Sequence, residues 1–290
     1  MSGELPPVAL RRAIYTDILC RESQYDSFRV LGSFWPNSKN SYESRIVKAF
    51  KECQPANNFK PYITTLCEFY AQLIINAVDD VRFDWVIRVL SSGETKPEAN
   101  RPQALLEEII SKQTKANSIT NLFFKSQSRP PMRSVGRLSG PDMLANRIQY
   151  VAQDLYIKPI KLGGKALLID DICNTGASMR VYAHALKAYA GIEAVHCVNL
   201  AATRFRRGKD GYGMLNLDIS ALSDSPHLTQ VWLDKSDTFH TRSDCREMQP
   251  PSSCELRFLA QRKAQQCPVC VEKEEPPRKW WQVILGRNGR

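Results

Sequence analysis

The segment running from Gly163 to Ala201 limits what this chain can fold into more than any other. Ala166-Leu167-Leu168-Ile169 is a short, unbroken apolar run behind the turn Gly163-Gly164-Lys165, which is the pattern of a fully buried strand. It runs straight into two acids, Asp170 and Asp171. Thr175-Gly176-Ala177-Ser178 then opens a helix over 177–190, which Gly191 ends. Ala194–Ala201 returns as a second strand. Strand, loop, helix and strand in that order make a βαβ unit, and such units build a parallel sheet covered by helices. The fold class expected is therefore α/β, with a mostly parallel sheet flanked by helices.

The same segment carries chemistry. Ligands of open parallel sheets bind outside the carboxyl ends of the strands, which is where Asp170 and Asp171 stand. A helix start offers unpaired backbone N–H groups and the positive end of the helix dipole, and both suit a phosphate. Gly176 lets the backbone approach such a group closely, and the Thr175 and Ser178 hydroxyls can add hydrogen bonds. A ribose attached to that phosphate would lie over Asp170 and Asp171, whose carboxylates accept from its 2- and 3-hydroxyls directly or through Mg²⁺. The plainer alternative is that two acids merely cap a helix after a buried strand. The whole run from Asp170 to Ser178 behind an aliphatic strand is more specific than that.

Elsewhere the chain alternates elements of both kinds. Phe28–Phe34 reads as a strand or hairpin arm, and Ser41–Phe50 as a short helix. Pro61–Ala77 reads as a longer helix with Ile63, Leu66, Cys67, Tyr70, Leu73, Ile74 and Ala77 at helical spacing. Asp84–Leu90 predicts a buried strand ended by Ser91-Ser92-Gly93, Glu98–Lys112 a helix, Ile119–Phe124 a strand and Met143–Tyr156 a helix. Lys125–Pro141 has loop composition and carries Arg129, Arg133 and Arg137. His227–Leu233 is expected to add a further strand. The organisation predicted is a helical N-terminal region over 1–80, a core over 81–236 and a cysteine-bearing appendage and tail over 237–290. The Trp280-Trp281 segment is expected to pack back on the domain, and His184 and His196 to serve structural roles.

The chain has 40 Lys plus Arg against 30 Asp plus Glu, a net charge of +10. That excess favours anionic partners, which include phosphorylated small molecules and nucleic acid. No basic run is long or clearly interleaved with aromatics, so charge alone does not select nucleic acid. No apolar run is long enough for a membrane span, and the N-terminus lacks the pattern of a secretory signal. The expected location is cytoplasmic.

Ala166–Ser178 closely resembles the phosphoribosyl pyrophosphate (PRPP) signature of type I phosphoribosyltransferases. Arg137-Leu138-Ser139, Asn146 and Gly163-Gly164-Lys165 resemble the run that precedes this motif in ComF-type proteins, which are associated with competence and DNA uptake. The resemblance covers about 84–203 and implies a type I phosphoribosyltransferase-like core with a hood. It implies that Asp170 and Asp171 bind the ribose hydroxyls and Mg²⁺, and that Asn174, Thr175, Gly176, Ala177 and Ser178 form the 5-phosphate loop. It places Ser91, Ser92 and Gly93 where the family binds pyrophosphate. Arg129, Arg133 and Arg137 fall in the loop that covers the reaction centre, as candidates to neutralise the leaving pyrophosphate. Purine-using members often have an acid at the position of Asn174, which cannot take a proton, and this argues against purine salvage chemistry. ComF-type proteins usually carry an arginine-rich segment after the first strand, whereas Ser91–Arg101 holds the acids Glu94 and Glu98.

Two functions follow from the resemblance. One is a PRPP-dependent, Mg²⁺-assisted transfer of a phosphoribosyl group to an unidentified acceptor. The other is a catalytically reduced module that binds PRPP, another ribose 5-phosphate ligand or a nucleotide, with nucleic acid or a DNA-handling protein as its partner. Nine cysteines add a separate signal. Cys20, Cys53, Cys67, Cys173 and Cys197 are scattered like reduced core residues. Cys245, Cys254, Cys267 and Cys270 crowd one stretch near His240, and the Cys267-Pro268-Val269-Cys270 spacing is that of a zinc knuckle. Four thiolates there would hold a structural Zn²⁺; the alternative is a set of unpaired thiols in a loose tail.

Overall fold

The computed structural model describes residues 6–12, 18, 24–36, 42–52, 60–131, 143–204, 213–214, 228–236, 238–240, 242, 244–249, 253–258 and 265–272. The chain divides into two compact units, Met1–Asp224 and Ser225–Arg290.

The first unit begins with β1 (Val8–Ala9) and β2 (Ser27–Phe34), followed by α1 (Tyr42–Glu52) and α2 (Lys60–Ala77). Next come β3 (Trp85–Arg88), α3 (Pro102–Thr114), β4 (Asn117–Ser118), β5 (Phe123–Lys125), α4 (Met143–Ala152) and β6 (Leu155–Ile157). The βαβ unit then follows as β7 (Lys165–Cys173), α5 (Ala177–Ala190) and β8 (Ala194–Thr203), with β9 (Gly213–Met214) after it. Six strands form one sheet in the order β4-β3-β7-β8-β2-β9, and every neighbouring pair is parallel. The α/β class read from the sequence is therefore present, with β7 near the middle of the sheet.

Strand alternation sorts the core into two faces. Ile87 and Val89, Ala166 and Leu168, and Val195 and Cys197 share one apolar cluster with Ile148 and Val151 of α4 and with Met179, Tyr182 and Leu186 of α5. The opposite face is covered by α1, α2 and α3. Pro61 sits in the first turn of α2, where its missing N–H costs nothing, and Ile63, Leu66, Cys67, Tyr70 and Ile74 form its buried side. Leu167, Leu168 and Ile169 are all buried, each contributing about 1.5–3 kcal/mol relative to exposure. Such a strand cannot sit at an edge.

Entry into β7 is fixed by a close approach. Gly164 has φ +69°, and a Cβ there would stand 2.2 Å from Asp84 Oδ2. That carboxylate accepts the Lys165 N–H at 2.8 Å, and the Trp85 indole N–H reaches the Gly163 carbonyl at 3.0 Å. Only glycine fits between the turn and β3.

Phe28–Phe34 is a strand, one of its two expected forms, and it lies parallel to β8 rather than in a hairpin, with Val30 opposite Asn199. The helix expected through Tyr156 stops at Ala152, because Leu155–Ile157 is claimed as the middle strand of a small antiparallel sheet in the order β1-β6-β5. Of the strand expected over Ile119–Phe124 only Phe123 and Phe124 lie in one, as part of β5 in the small antiparallel sheet.

The second unit holds β10 (Leu228–Leu233), β11 (Thr238–His240), β12 (Ser253–Phe258), β13 (Gln265–Gln266) and the short α6 (Pro268–Glu272). Its sheet order is β12-β10-β11-β13. The strand expected at His227–Leu233 thus exists, but it pairs with β11 and β12 rather than with the central sheet. Among the described residues no helix is long and apolar enough to cross a membrane.

Candidate functional site

β7 carries Asp170 and Asp171 near its C-terminal end, Asn174–Gly176 forms the loop, and α5 starts at Ala177. Gly176 occupies the N-cap with φ 75° and ψ 8°, a left-handed conformation that a side chain strains. No side chain caps this helix start. The first-turn amides of any α-helix lack intrahelical acceptors, so this turn presents donors and a positive dipole end to whatever occupies the loop.

Alternation along β7 sends the two acids to opposite faces of the sheet. Asp170 pairs in register with Asn199 of β8, whose amide is fully buried and without a hydrogen-bond partner among the described residues. Desolvation, and next the neighbouring Asp171 carboxylate, pushes the Asp170 carboxyl well above the usual range, while Lys51 pulls it back. Asp170 Oδ1 accepts the Asp171 N–H at 2.8 Å. Asp171 faces the α1 side, where its Oδ1 accepts the Ile172 N–H at 2.6 Å and its Oδ2 pairs with Lys51 Nζ at 2.7 Å. Lys51 lies in the last turn of α1, and nothing in its sequence context marked it. With Asp171 turned to the other face and paired with Lys51, Asp170 is the freer of the two, and its hard carboxylate oxygens could take a sugar hydroxyl or a Mg²⁺ ion.

The turn Ser91-Ser92-Gly93 follows β3 and is tied down from within. Glu94 is fully buried and takes both Arg88 Nη atoms, at 3.0 and 2.7 Å. It also accepts the Ser91 N–H at 2.7 Å and the Glu98 N–H at 3.0 Å. Burial alone would raise its pKa, but the Arg88 bonds and charge with the two amides hold it below the ordinary value. Lys125 Nζ donates to the Ser91 and Ser92 carbonyls at 2.6 and 2.8 Å. The Leu90 N–H donates to the Tyr182 hydroxyl of α5 at 3.2 Å, which ties the chain just after β3 to that helix. Of the two acids in this stretch, Glu94 is thus an internal brace, while the Glu98 carboxylate pairs with Arg101 at 2.7 Å. The signal for it was an arginine closing a buried strand.

Arg129 is engaged rather than poised. Its guanidinium pairs with Asp154 at 3.2 Å, bonds the Tyr150 carbonyl and lies 4.9 Å from the Tyr150 ring centroid. Arg133 and Arg137 lie outside the described residues, as do Leu138, Ser139 and the Trp280-Trp281 segment. His196 is bonded to Ser27 Oγ at 2.9 Å and His184 approaches Gln24 Oε1 at 3.3 Å, both structural roles as read.

The second constellation lies in the C-terminal unit. His240, Cys245, Cys267 and Cys270 bring four donor atoms within 4.8 Å of one another. Of the four cysteines read as ligands, three are here. The Cys254 side chain lies outside the described residues, while its backbone in β12 pairs with Trp232. His240, which the sequence placed only nearby, is the fourth member.

No family model matches this sequence, and no curated protein matches it. Among solved structures it is similar to adenine phosphoribosyltransferase from Thermoanaerobacter pseudethanolicus, at 14% identity and TM-score 0.34, covering 52% of this chain and 79% of that one. The adenine phosphoribosyltransferase of Saccharomyces cerevisiae, solved with adenine and an imino-altritol bisphosphate, gives 14% identity and TM-score 0.30 over 53% of this chain and 76% of that one.

Proposed function

We propose that this protein binds PRPP at Asp170–Ser178 and, with Mg²⁺, transfers its phosphoribosyl group to an acceptor. The observation that carries the reading is a left-handed glycine opening a helix, uncapped by any side chain, directly after a central parallel strand that bears two acids. In this reading Asn174, Thr175, Gly176, Ala177 and Ser178 enclose the 5-phosphate, which the α5 amides hold. Asp170 orients the ribose by its hydroxyls, and Asp171, steadied by Lys51, fixes the edge of the cleft. Magnesium, when bound, would supply positive charge to the sugar hydroxyls and pyrophosphate. The bond from C1 to pyrophosphate breaks, the bond from C1 to an acceptor nitrogen forms, and that nitrogen gives up its proton. Catalysis in such a site comes from positioning and from stabilising the leaving group, for which Arg133 and Arg137 are the candidates.

Calorimetric titration with PRPP and Mg²⁺ tests the binding step. Saturable binding that Asp170→Asn and Gly176→Val both weaken at least tenfold is expected; no heat with the wild-type chain would refute it. Pyrophosphate release, followed across nucleobases, tests the transfer.

A second reading is favoured by one observation. Glu94 already takes the Ser91 amide, one of the donors that the turn would offer to pyrophosphate, and sets a buried negative charge beside it. Binding without pyrophosphate release would then make the protein a reader of phosphorylated ribose, serving a DNA-handling system as ComF-type proteins do. Salt-sensitive retention on single-stranded DNA supports that version.

A further inference from the structure

We propose that the C-terminal unit holds one Zn²⁺ in a closed site made by Cys245, Cys267, Cys270 and His240 Nδ1, with Asp234 locking the imidazole from behind. The proposal stands independently of PRPP binding. Tetrahedral zinc, with Zn–S near 2.3 Å and Zn–N near 2.0–2.1 Å, separates two thiolates by roughly 3.8 Å and a thiolate from an imidazole nitrogen by roughly 3.6 Å. Cys245 Sγ and Cys267 Sγ are 3.8 Å apart, and Cys270 Sγ is 4.0 Å from His240 Nδ1. One sulfur pair is thus already at ligand spacing, and all four donor atoms lie within 4.8 Å of one another. A disulfide between Cys245 and Cys267 would need about 2.05 Å, and would leave Cys270 and His240 turned on an empty centre.

The histidine tells the same story from its other nitrogen. His240 is fully buried, and its Nε2 lies 3.2 Å from Asp234 Oδ2. A carboxylate there claims the Nε2 proton, which leaves Nδ1 as a lone pair facing the thiols. Imidazole ligands of metals are commonly oriented by a carboxylate in this way. Asp234 is itself held, accepting from Ser236 N–H at 2.9 Å, Ser236 Oγ at 2.6 Å and Thr238 N–H at 3.1 Å. No sequence spacing announces this arrangement, because Asp234 and His240 meet only when β10 and β11 pair.

Two short turns present the sulfurs. The Cys270 N–H donates to the Cys267 carbonyl at 3.0 Å, and the Met248 N–H to the Cys245 carbonyl at 3.1 Å. His240 comes from β11, Cys245 from a turn and Cys267 and Cys270 from the start of α6, so the ion would join three separate stretches of this unit. With four protein ligands there is no position left for water or substrate, and the role is structural. A unit this small gains little from its own core, and a metal is the usual staple. Binding expels three thiol protons, and in the chelated form the site carries three thiolates and a neutral imidazole.

The experiment uses the full chain purified from zinc-supplied cells. Roughly one equivalent of zinc is expected by elemental analysis. Replacement by Co²⁺ should give tetrahedral d–d bands and a thiolate-to-cobalt charge-transfer band sized for three sulfurs. Cys254→Ser should keep the full equivalent, whereas Cys267→Ser and His240→Ala should lose it. Asp234→Asn should retain the ion with about 10–100-fold weaker affinity against a chromophoric chelator. Stripping the wild-type chain should raise hydrogen exchange over 228–272 and leave 143–204 protected, a readout that needs no variant to fold. The proposal is overturned by wild-type protein that holds under a tenth of an equivalent and takes up no Co²⁺. It is equally overturned if Cys254→Ser loses the metal as fully as Cys267→Ser.

Discussion

Glu94→Ala should be among the most damaging single changes outside the apolar core. The side chain is fully buried and accepts four hydrogen bonds, two from Arg88 and one each from the Ser91 and Glu98 amides. Its loss leaves a guanidinium only 5% exposed without its main counter-charge. Removing one partner of a buried ion pair costs about 3–5 kcal/mol. For a unit of this size each kcal/mol moves Tm by about 2–4 °C, so the expected drop is about 6–20 °C. Glu107 moderates it, since its Oε2 lies 3.7 Å from Arg88 Nε and can take up part of the charge when ionised. Burial, opposed by the Ser118 hydrogen bond and the Arg88 charge, raises the Glu107 pKa to about 7, so the drop should be larger at pH 6 than at pH 8. Scanning calorimetry of the wild type, Glu94→Ala, Arg88→Ala and the double variant closes the cycle. The double variant should be less destabilised than the two singles added together. A Tm shift under about 2 °C, or strict additivity, would refute the buried-brace account.

Gly164→Ala forces a Cβ to 2.2 Å from Asp84 Oδ2 at φ +69° and breaks the bond to the Lys165 amide. Left-handed strain plus a lost charged hydrogen bond comes to about 3–5 kcal/mol by urea unfolding. Gly163→Ala, equally left-handed but with open space around it, should cost visibly less; equal losses would contradict the close-approach argument. Glu107 also makes a pH prediction. Its pKa rises from 4.5 to about 7 on folding, so the folded state binds the proton more tightly and stability falls as pH rises from 4.5 to 7. Over that window the wild type should lose roughly 3 kcal/mol relative to Glu107→Gln. Asp154 and Asp170 shift in the same direction, so the difference curve between the two proteins is the one to measure. Parallel curves would remove Glu107 from the balance.

What could be read from the sequence was whatever local pattern alone decides. The helix at 177–190 and the aliphatic strand before it announce themselves by periodicity, a left-handed glycine and a four-residue apolar run. The Asn174–Gly176 loop follows because it must join them. Pairing was less legible. Leu155–Ile157 reads as the tail of a helix until β1 and β5 claim it, and Leu228–Leu233 reads as a strand of the core although its partners lie downstream. Charge partners were the least legible of all. Lys51 meets Asp171 from across a helix layer, and Glu94 meets Arg88 around a turn, so sequence distance says nothing of either. The fourth donor of the described cluster was illegible for the same reason. Counting thiols points to Cys254, whose side chain lies outside the described residues, whereas a strand pairing brings in His240.

The sheet order sets a timetable for synthesis. β2 docks beside β8, and its first residue, Ser27, touches His196 across a separation of 169 residues. At about 5–20 residues per second, the ribosome takes on the order of 10–30 s to deliver that neighbour. Until then Val30 and Leu31 have no sheet to join, and their apolar side chains wait in an unfinished chain. The nascent protein should therefore be an avid client of chaperones that shelter short hydrophobic strands, and truncations ending before Ala194 should aggregate.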